Sequence, residues 1–148
     1  MATSTIPAFK AALLTRLQAD AGLTGVDLSY GVPFPRTPDR EWVWLGNADG
    51  EQETAAMGQR RREETWVQEV VVSCIKPARE SQQTLTERAF VIAGVIEESL
   101  RTWSALPGPV FGGVVRQALV IGTQLEEFAD DTEREARVTV RVACAHRI

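Results

Sequence analysis

Taken two residues at a time, EETWVQEVVVSCI, residues 63–75, gives a long run with one mostly apolar side. Trp66, Gln68, Val70, Val72 and Cys74 share one face, and Val67, Glu69, Val71, Ser73 and Ile75 the other. Two-residue spacing with a β-branched centre predicts a long central strand on which the other elements pack. Ahead of it, Ile6, Phe9, Leu13 and Leu17 recur at steps of three and four, predicting a helix over residues 5–21. Ser4 or Thr5 suits its cap, Pro7 its first turn and Gly22 its stop. Residues 26–30 predict a short strand. Pro33, Pro35 and Pro38 then make residues 31–40 a stiff, extended loop. The next predicted strand, EWVWLG at 41–46, sets Trp42 and Trp44 on one face and Val43 and Leu45 on the other. Either both its sides are covered or its tryptophans meet a partner.

Residues 47–64 are the most polar stretch and read as a long loop or a strand pair projecting from the body. Loops beyond about 12–15 residues are uncommon in compact domains unless functional or disordered. Arg60, Arg61 and Arg62 form the one dense basic run. Balanced by Glu63 and Glu64, it reads as a solvated loop; the functional alternative is contact with an acidic protein surface or a phosphate backbone. After the central strand, residues 81–103 predict a second helix, with Leu85, Ala89, Ile92, Val95 or Ile96, Leu100 and Trp103 at helical spacing. LPGPVFGG at 106–113 reads as a turn. Residues 114–127 alternate again, with Val115, Leu119, Ile121 and Leu125 in roughly two-residue steps. An acidic connection at 126–135 leads to a closing strand at 136–145, with Val138, Val140, Val142 and Cys144 inward and Arg137, Thr139 and Arg141 outward. The last two strands form a predicted hairpin. Runs of adjacent strands predict an α+β fold. Its expected form is a largely antiparallel sheet of about five strands with two helices on one face, plus the polar loop or hairpin at about 47–64.

Composition adds limits. A chain of 148 residues suits a single domain spanning 1–148. A net charge of −4 argues against a dedicated nucleic-acid binder, which usually carries a basic face. Cys74 and Cys144 belong to no metal-ligand spacing and read as reduced, buried thiols, with a disulfide left open if their strands are neighbours. No apolar run approaches the roughly 20 residues of a membrane span, and the first residues carry no signal-like core, so assembly in a cytoplasm without membrane contact is expected. The phosphate-loop, dinucleotide, zincin and nucleophile-elbow spacings are all missing from the sequence. His146 reads as a surface residue near the end of the chain. The acidic run at Glu126, Glu127, Asp130, Asp131, Glu133 and Glu135 lacks the spacing of a calcium loop, and Glu97 and Glu98, adjacent on a helix, diverge. No catalytic, cofactor-binding or metal-ligating residue is therefore assigned, no cofactor is expected, and the chain reads as a non-enzyme. A small ligand-binding domain or enzyme with its site beside Trp42 and Trp44 is the rival reading.

The layout itself carries a resemblance. An amphipathic helix leads into VDLSYGVPFP and a tryptophan strand. A polar excursion, the EETWVQEVVVSCI strand, a helix containing RAFVIAGVIEESLR and two closing strands follow. This order resembles the tail-terminator, or tail-completion, proteins of long-tailed bacteriophages and prophages over nearly the whole chain. The resemblance implies a structural virion protein at the head-proximal end of the tail. It implies a homo-oligomeric ring, commonly a hexamer, that caps the tail tube, ends its polymerisation and offers a surface to the head-side connector. DNA would pass through the lumen without sequence-specific binding. Another neck or head–tail connector protein is the nearest alternative. The family carries no catalytic residues. Candidate contacts with neighbouring subunits or the tube are Trp42, Trp44, Arg60, Arg61, Arg62 and Trp66.

Overall fold

The computed structural model describes residues 4–37, 39–54 and 62–147, with the side chains of residues 53 and 54 excepted. Five strands form one mixed sheet: β1 (Asp27–Ser29), β2 (Glu41–Thr54), β3 (Arg62–Pro77), β4 (Gln117–Ala129) and β5 (Glu133–Arg147), in the spatial order β1-β2-β3-β5-β4. All pairs are antiparallel except β1 with β2. Helices α1 (Ile6–Gln18) and α2 (Gln82–Ser104) cover one face, so the fold is the expected α+β arrangement with β3 central.

The covered face holds Val70, Val72 and Cys74 of β3, Val138, Val140 and Val142 of β5, and Phe9, Leu13 and Leu17 of α1. From α2 it receives Leu85, Ala89, Ile92, Ile96, Leu100 and Trp103, the stripe that helical spacing predicts. Phe9 meets Trp66 edge-on at 5.9 Å and stacks on Trp103 at 6.3 Å, while Trp103 meets Phe111 edge-on at 5.2 Å. Each such aromatic pair contributes about 0.5–1.5 kcal/mol beyond its burial.

Several expectations change. The strand predicted at 41–46 continues to Thr54 and pairs with the start of β3, so of the two readings of the polar stretch the strand pair is the one observed. A backbone ladder needs no apolar side chains, and at an edge both faces of a polar strand can reach water. A bulge between Leu45 and Ala48 marks the change of register. There Gln68, fully buried, donates from Nε2 to the carbonyl of Gly46 at 3.1 Å, and Lys10 Nζ reaches the same oxygen at 3.4 Å. The bulge thus frees a carbonyl that side chains of β3 and α1 satisfy. Helix α1 ends at Gln18, not at Gly22. Gly22 sits in a short 3-10 turn, Ala21–Leu23, where a Cβ would lie 2.9 Å from Val95 Cγ1, so it is a packing glycine that lets α2 approach.

The last hairpin departs further. Ala118 and Val120 of β4 pack on the core, and Leu119, between them, pairs with Ala143 on the other face and is exposed. A second bulge, between Val120 and Gly122, then changes the register, so that Leu125 pairs with core-facing Val138 yet stays exposed on the edge strand, as does Ile121 at the bulge. Glu63–Pro77 of β3 pair in continuous register with Arg147–Glu133 of β5. The cysteines lie in neighbouring strands, yet Cys74 pairs with Ala136 and Cys144 with Trp66. About eight residues of strand, roughly 26 Å, part them, far beyond disulfide reach.

Candidate interaction surface

Sequence reasoning nominated six residues, and the sheet divides them. Trp42 and Trp44 project from the face away from the helices, where they cluster with Val71 and Ile75. Trp66 projects from the opposite face into the core. All three are buried, with relative exposures of 5%, 4% and 2% respectively. Arg62 is exposed at the start of β3 and donates to Gln52 Oε1 at 3.2 Å; Arg60 and Arg61 lie outside the described residues.

The proline loop meets the tryptophans. The Asp39 N–H donates to the Ile75 carbonyl at 2.8 Å, and the Ile75 N–H to that of Arg40 at 3.3 Å, tying the loop's end to β3. Arg36 lies 5.0 Å from the Trp44 ring centroid, and Arg137 lies 5.8 Å from it. Glu135 gathers these groups. Its Oε2 accepts from Arg137 Nε at 2.7 Å and from Ser73 Oγ at 3.0 Å, and lies 3.6 Å from Arg36 Nη1. The tryptophan face is therefore covered by the chain's own loop, with a charged clamp holding it. The sequence signal was the apolar character of both faces of 41–46, which allows either an internal or an external cover.

At the far end of β3 the two glutamates behind the arginine run have separate partners. Glu63 accepts from Arg116, and Arg147 Nε lies 3.7 Å from its second oxygen. Glu64, expected in a solvated loop, is 3% exposed. Its Oε1 accepts from the Thr5 backbone N–H at 2.8 Å and from Thr5 Oγ1 at 2.5 Å, while Oε2 accepts from Gln52 Nε2 at 2.9 Å. Burial works to raise its pKa, but the bonds from Thr5, Ser4 and Gln52 outweigh that and hold it below the ordinary value. A strand residue thus anchors the N-terminus of α1, where Thr5 supplies no side-chain cap of its own.

Chemistry is sparse. Burial pushes the Cys74 and Cys144 thiols up to about 12, with the charge of Glu41 adding to the effect at Cys74. Both are inert at neutral pH. His146, expected at the surface, is half-buried, and its Nδ1 has no partner in the structure. Among the described residues no three His, Cys, Asp or Glu side chains converge on a point that would hold a metal ion, and no helix is long and apolar enough to cross a membrane. Asp130 turns the β4–β5 hairpin, its Oδ1 accepting from the N–H groups of Thr132 and Glu133 at 2.8 Å each.

Exposed apolar side chains are the feature that sequence reasoning missed. Tyr30, Val32 and Phe34 stand out after β1, and Leu119, Ile121, Leu125 and Phe128 along β4. For the first group the signal was VPFP itself, because prolines on both sides leave Phe34 little freedom to fold back.

No family model and no curated protein matches the chain. Among solved structures it is similar to a chain of the "Virion of native gene transfer agent (GTA) particle". The TM-score is 0.59 at 19% sequence identity, over 97% of this chain and 99% of that one. At this identity the likeness is one of fold, and it runs end to end.

Proposed function

We propose that the chain is a structural protein of a phage-like virion, and within it the subunit of a ring that terminates the tail tube. One observation carries this reading: nearly all of this chain and nearly all of a virion chain share one fold. The order of elements, shared in layout with tail terminators, supports the finer role. In that role the chain contacts further copies of itself in a closed ring, commonly of six, together with the tail-tube protein and the head-side connector. It acts by occupying the tube's growing end, with DNA passing through the lumen.

Arg62, exposed at the start of β3, together with Arg60 and Arg61 before it in the sequence, is the proposed contact with acidic residues of the tube or of a neighbour. Changing all three arginines to alanine is expected to leave the fold intact and to yield tails that fail to cap or join heads. Normal tails would refute that contact. Deleting the chain from its particle tests the role itself. Tubes of uncontrolled length in negative-stain images support termination, whereas normal-length tails that fail to join heads point instead to a neck connector. Normal-length tails joined to heads would overturn both readings.

A further inference from the structure

The sheet face away from the helices is covered along only part of its length. Over Trp42 and Trp44 lies the loop at 31–40, with Arg36 on the Trp44 ring. Beyond the bulge in β2 the same face lies open. Register sets Asp49, Val67 and Ala143 side by side there, and beside them Glu51, Thr65 and Ala145. Strand alternation puts all six on the side away from Trp66, which enters the core. Two recesses of about 420 and 190 Å³ open on this half and share Asp49 and Val67. Val67, Ala143 and Ala145 give them a floor of small apolar groups. Around it stand three acids, Asp49, Glu51 and Glu69, and one base, Arg141. None of these four charged side chains has a hydrogen bond or ion pair among the described residues.

A cover for this surface needs short apolar groups and positive charge. A phosphate backbone would meet like charge there. The chain's own sequence holds the required pattern in AAMGQRRR, residues 55–62. Most arginines among the described residues are committed to ion pairs. Arg62 is exposed and meets only the neutral Gln52 among them. Residues 55–61 lie outside the described residues, but their tether sets a bound. Arg60 is two residues from Arg62, at most about 7 Å. Glu69 is seven residues from Arg62 along β3, about 24 Å. The chain's own arginines therefore cannot span the surface as far as Glu69, whereas those of another copy can.

We infer that a second copy of this chain lays residues 55–62 across the open half of the outer face. Its arginines meet Asp49, Glu51 and Glu69, and its Ala55, Ala56 and Met57 cover the floor at Val67 and Ala143. The inference rests on the reading of the arginine run as an assembly contact, and it names the acidic surface that the run meets. Segment and surface are different patches, so the contact is heterologous and propagates from copy to copy until it closes.

Charge reversal on the full-length chain tests it. One protein carries Arg60→Glu with Arg61→Glu, the other Asp49→Lys with Glu51→Lys. Each alone sets like charges against each other and is expected to self-associate about tenfold or more weakly in sedimentation, with circular dichroism unchanged. Mixed, the two restore every contact, because reversed segment meets reversed surface and native meets native. Association in the mixture should return to within about twofold of the parent. Proximity is read separately, since Cys74 and Cys144 are buried. Gln59→Cys and Thr65→Cys, made as separate proteins and mixed with a short bismaleimide, should give a cross-linked heterodimer.

A mixture no tighter than its components would overturn the inference, as would Gln59→Cys cross-linking only to itself. So would a parent that stays monomeric and uncross-linked at about 100 μM, where weak subunit contacts are populated. If reversing the acids changes nothing while reversing the arginines stops tails from capping, the arginines meet the tube and the inference fails. Rings that persist in the acid-reversed protein would refute this contact and leave the terminator reading standing. Restored association as closed pairs, without rings, would uphold the contact and count against that reading.

Discussion

Replacing Glu64 with glutamine tests the tie between strand and helix. The substitution keeps the side chain's size but removes its charge and one acceptor oxygen. In the parent, the two oxygens accept from the Thr5 N–H, the Thr5 hydroxyl and Gln52 Nε2. Hydrogen bonds to a charged group contribute about 1.5–3 kcal/mol net, and a carboxylate at a helix N-terminus a further ~0.3–1 kcal/mol. One bond can persist in neutral form, so the expected loss at pH 7 is about 2–3 kcal/mol, or roughly 5–10 °C in Tm for a domain of this size. Denaturant unfolding measures it, with Thr5→Val and the double variant closing a cycle.

The pH dependence has a definite sign. The folded pKa of Glu64 lies below its ordinary value of 4.5. Its contribution is therefore complete above that value and is lost as pH falls through the folded pKa. The gap between parent and Glu64→Gln should be constant near neutrality and narrow in acid below about pH 4.5. A variant within about 0.5 kcal/mol of the parent, strict additivity with Thr5→Val, or a gap that widens in acid would each refute the anchoring role.

Gly50→Ala should destabilise by about 2–3 kcal/mol, because its Cβ would lie 2.3 Å from the Thr65 carbonyl oxygen and 2.4 Å from Trp66 Cβ; chemical denaturation reads the loss. Glu135→Ala frees Arg36, Arg137 and Ser73 together, so the proline loop should loosen at a cost of roughly 1–3 kcal/mol, and tryptophan emission should shift to the red as water reaches Trp42 and Trp44. Neither cysteine should react with a thiol reagent at pH 7 in the folded protein, and both should react in denaturant, since burial holds the two thiols up at about 12; rapid labelling of the native chain would contradict the packing around them.

Residues 63–75 show how far pattern reaches. Two-residue spacing separated the faces of β3 correctly, and helical spacing assigned the stripe of α2, because burying one face of an element is the main constraint on its apolar positions. The same reasoning misjudged Glu64. A carboxylate next to three arginines looks solvated, and its burial depends on Thr5, a residue distant in sequence. It also grouped Leu119 with Leu125, which the bulge after Val120 sets on opposite faces, Leu119 paired with Ala143 and Leu125 with core-facing Val138. A bulge reverses every later side chain and leaves little trace in alternation.

Local pattern alone thus accounts for the α+β class, the central strand, both helices and the stiffness of the proline loop, since each follows from the spacing of apolar groups or from the ring of proline. It does not say which side of the tryptophan strand faces what. Trp42 and Trp44 look the same in sequence whether covered by a partner or by residues 31–40. The cover is supplied by Arg36, Arg137 and Glu135, which converge from separate segments once the strands pair. The open half of that face has the same origin: the strand order β1-β2-β3-β5-β4 lays Asp49, Val67 and Ala143 side by side, and strand order is a property of long-range pairing rather than of local spacing.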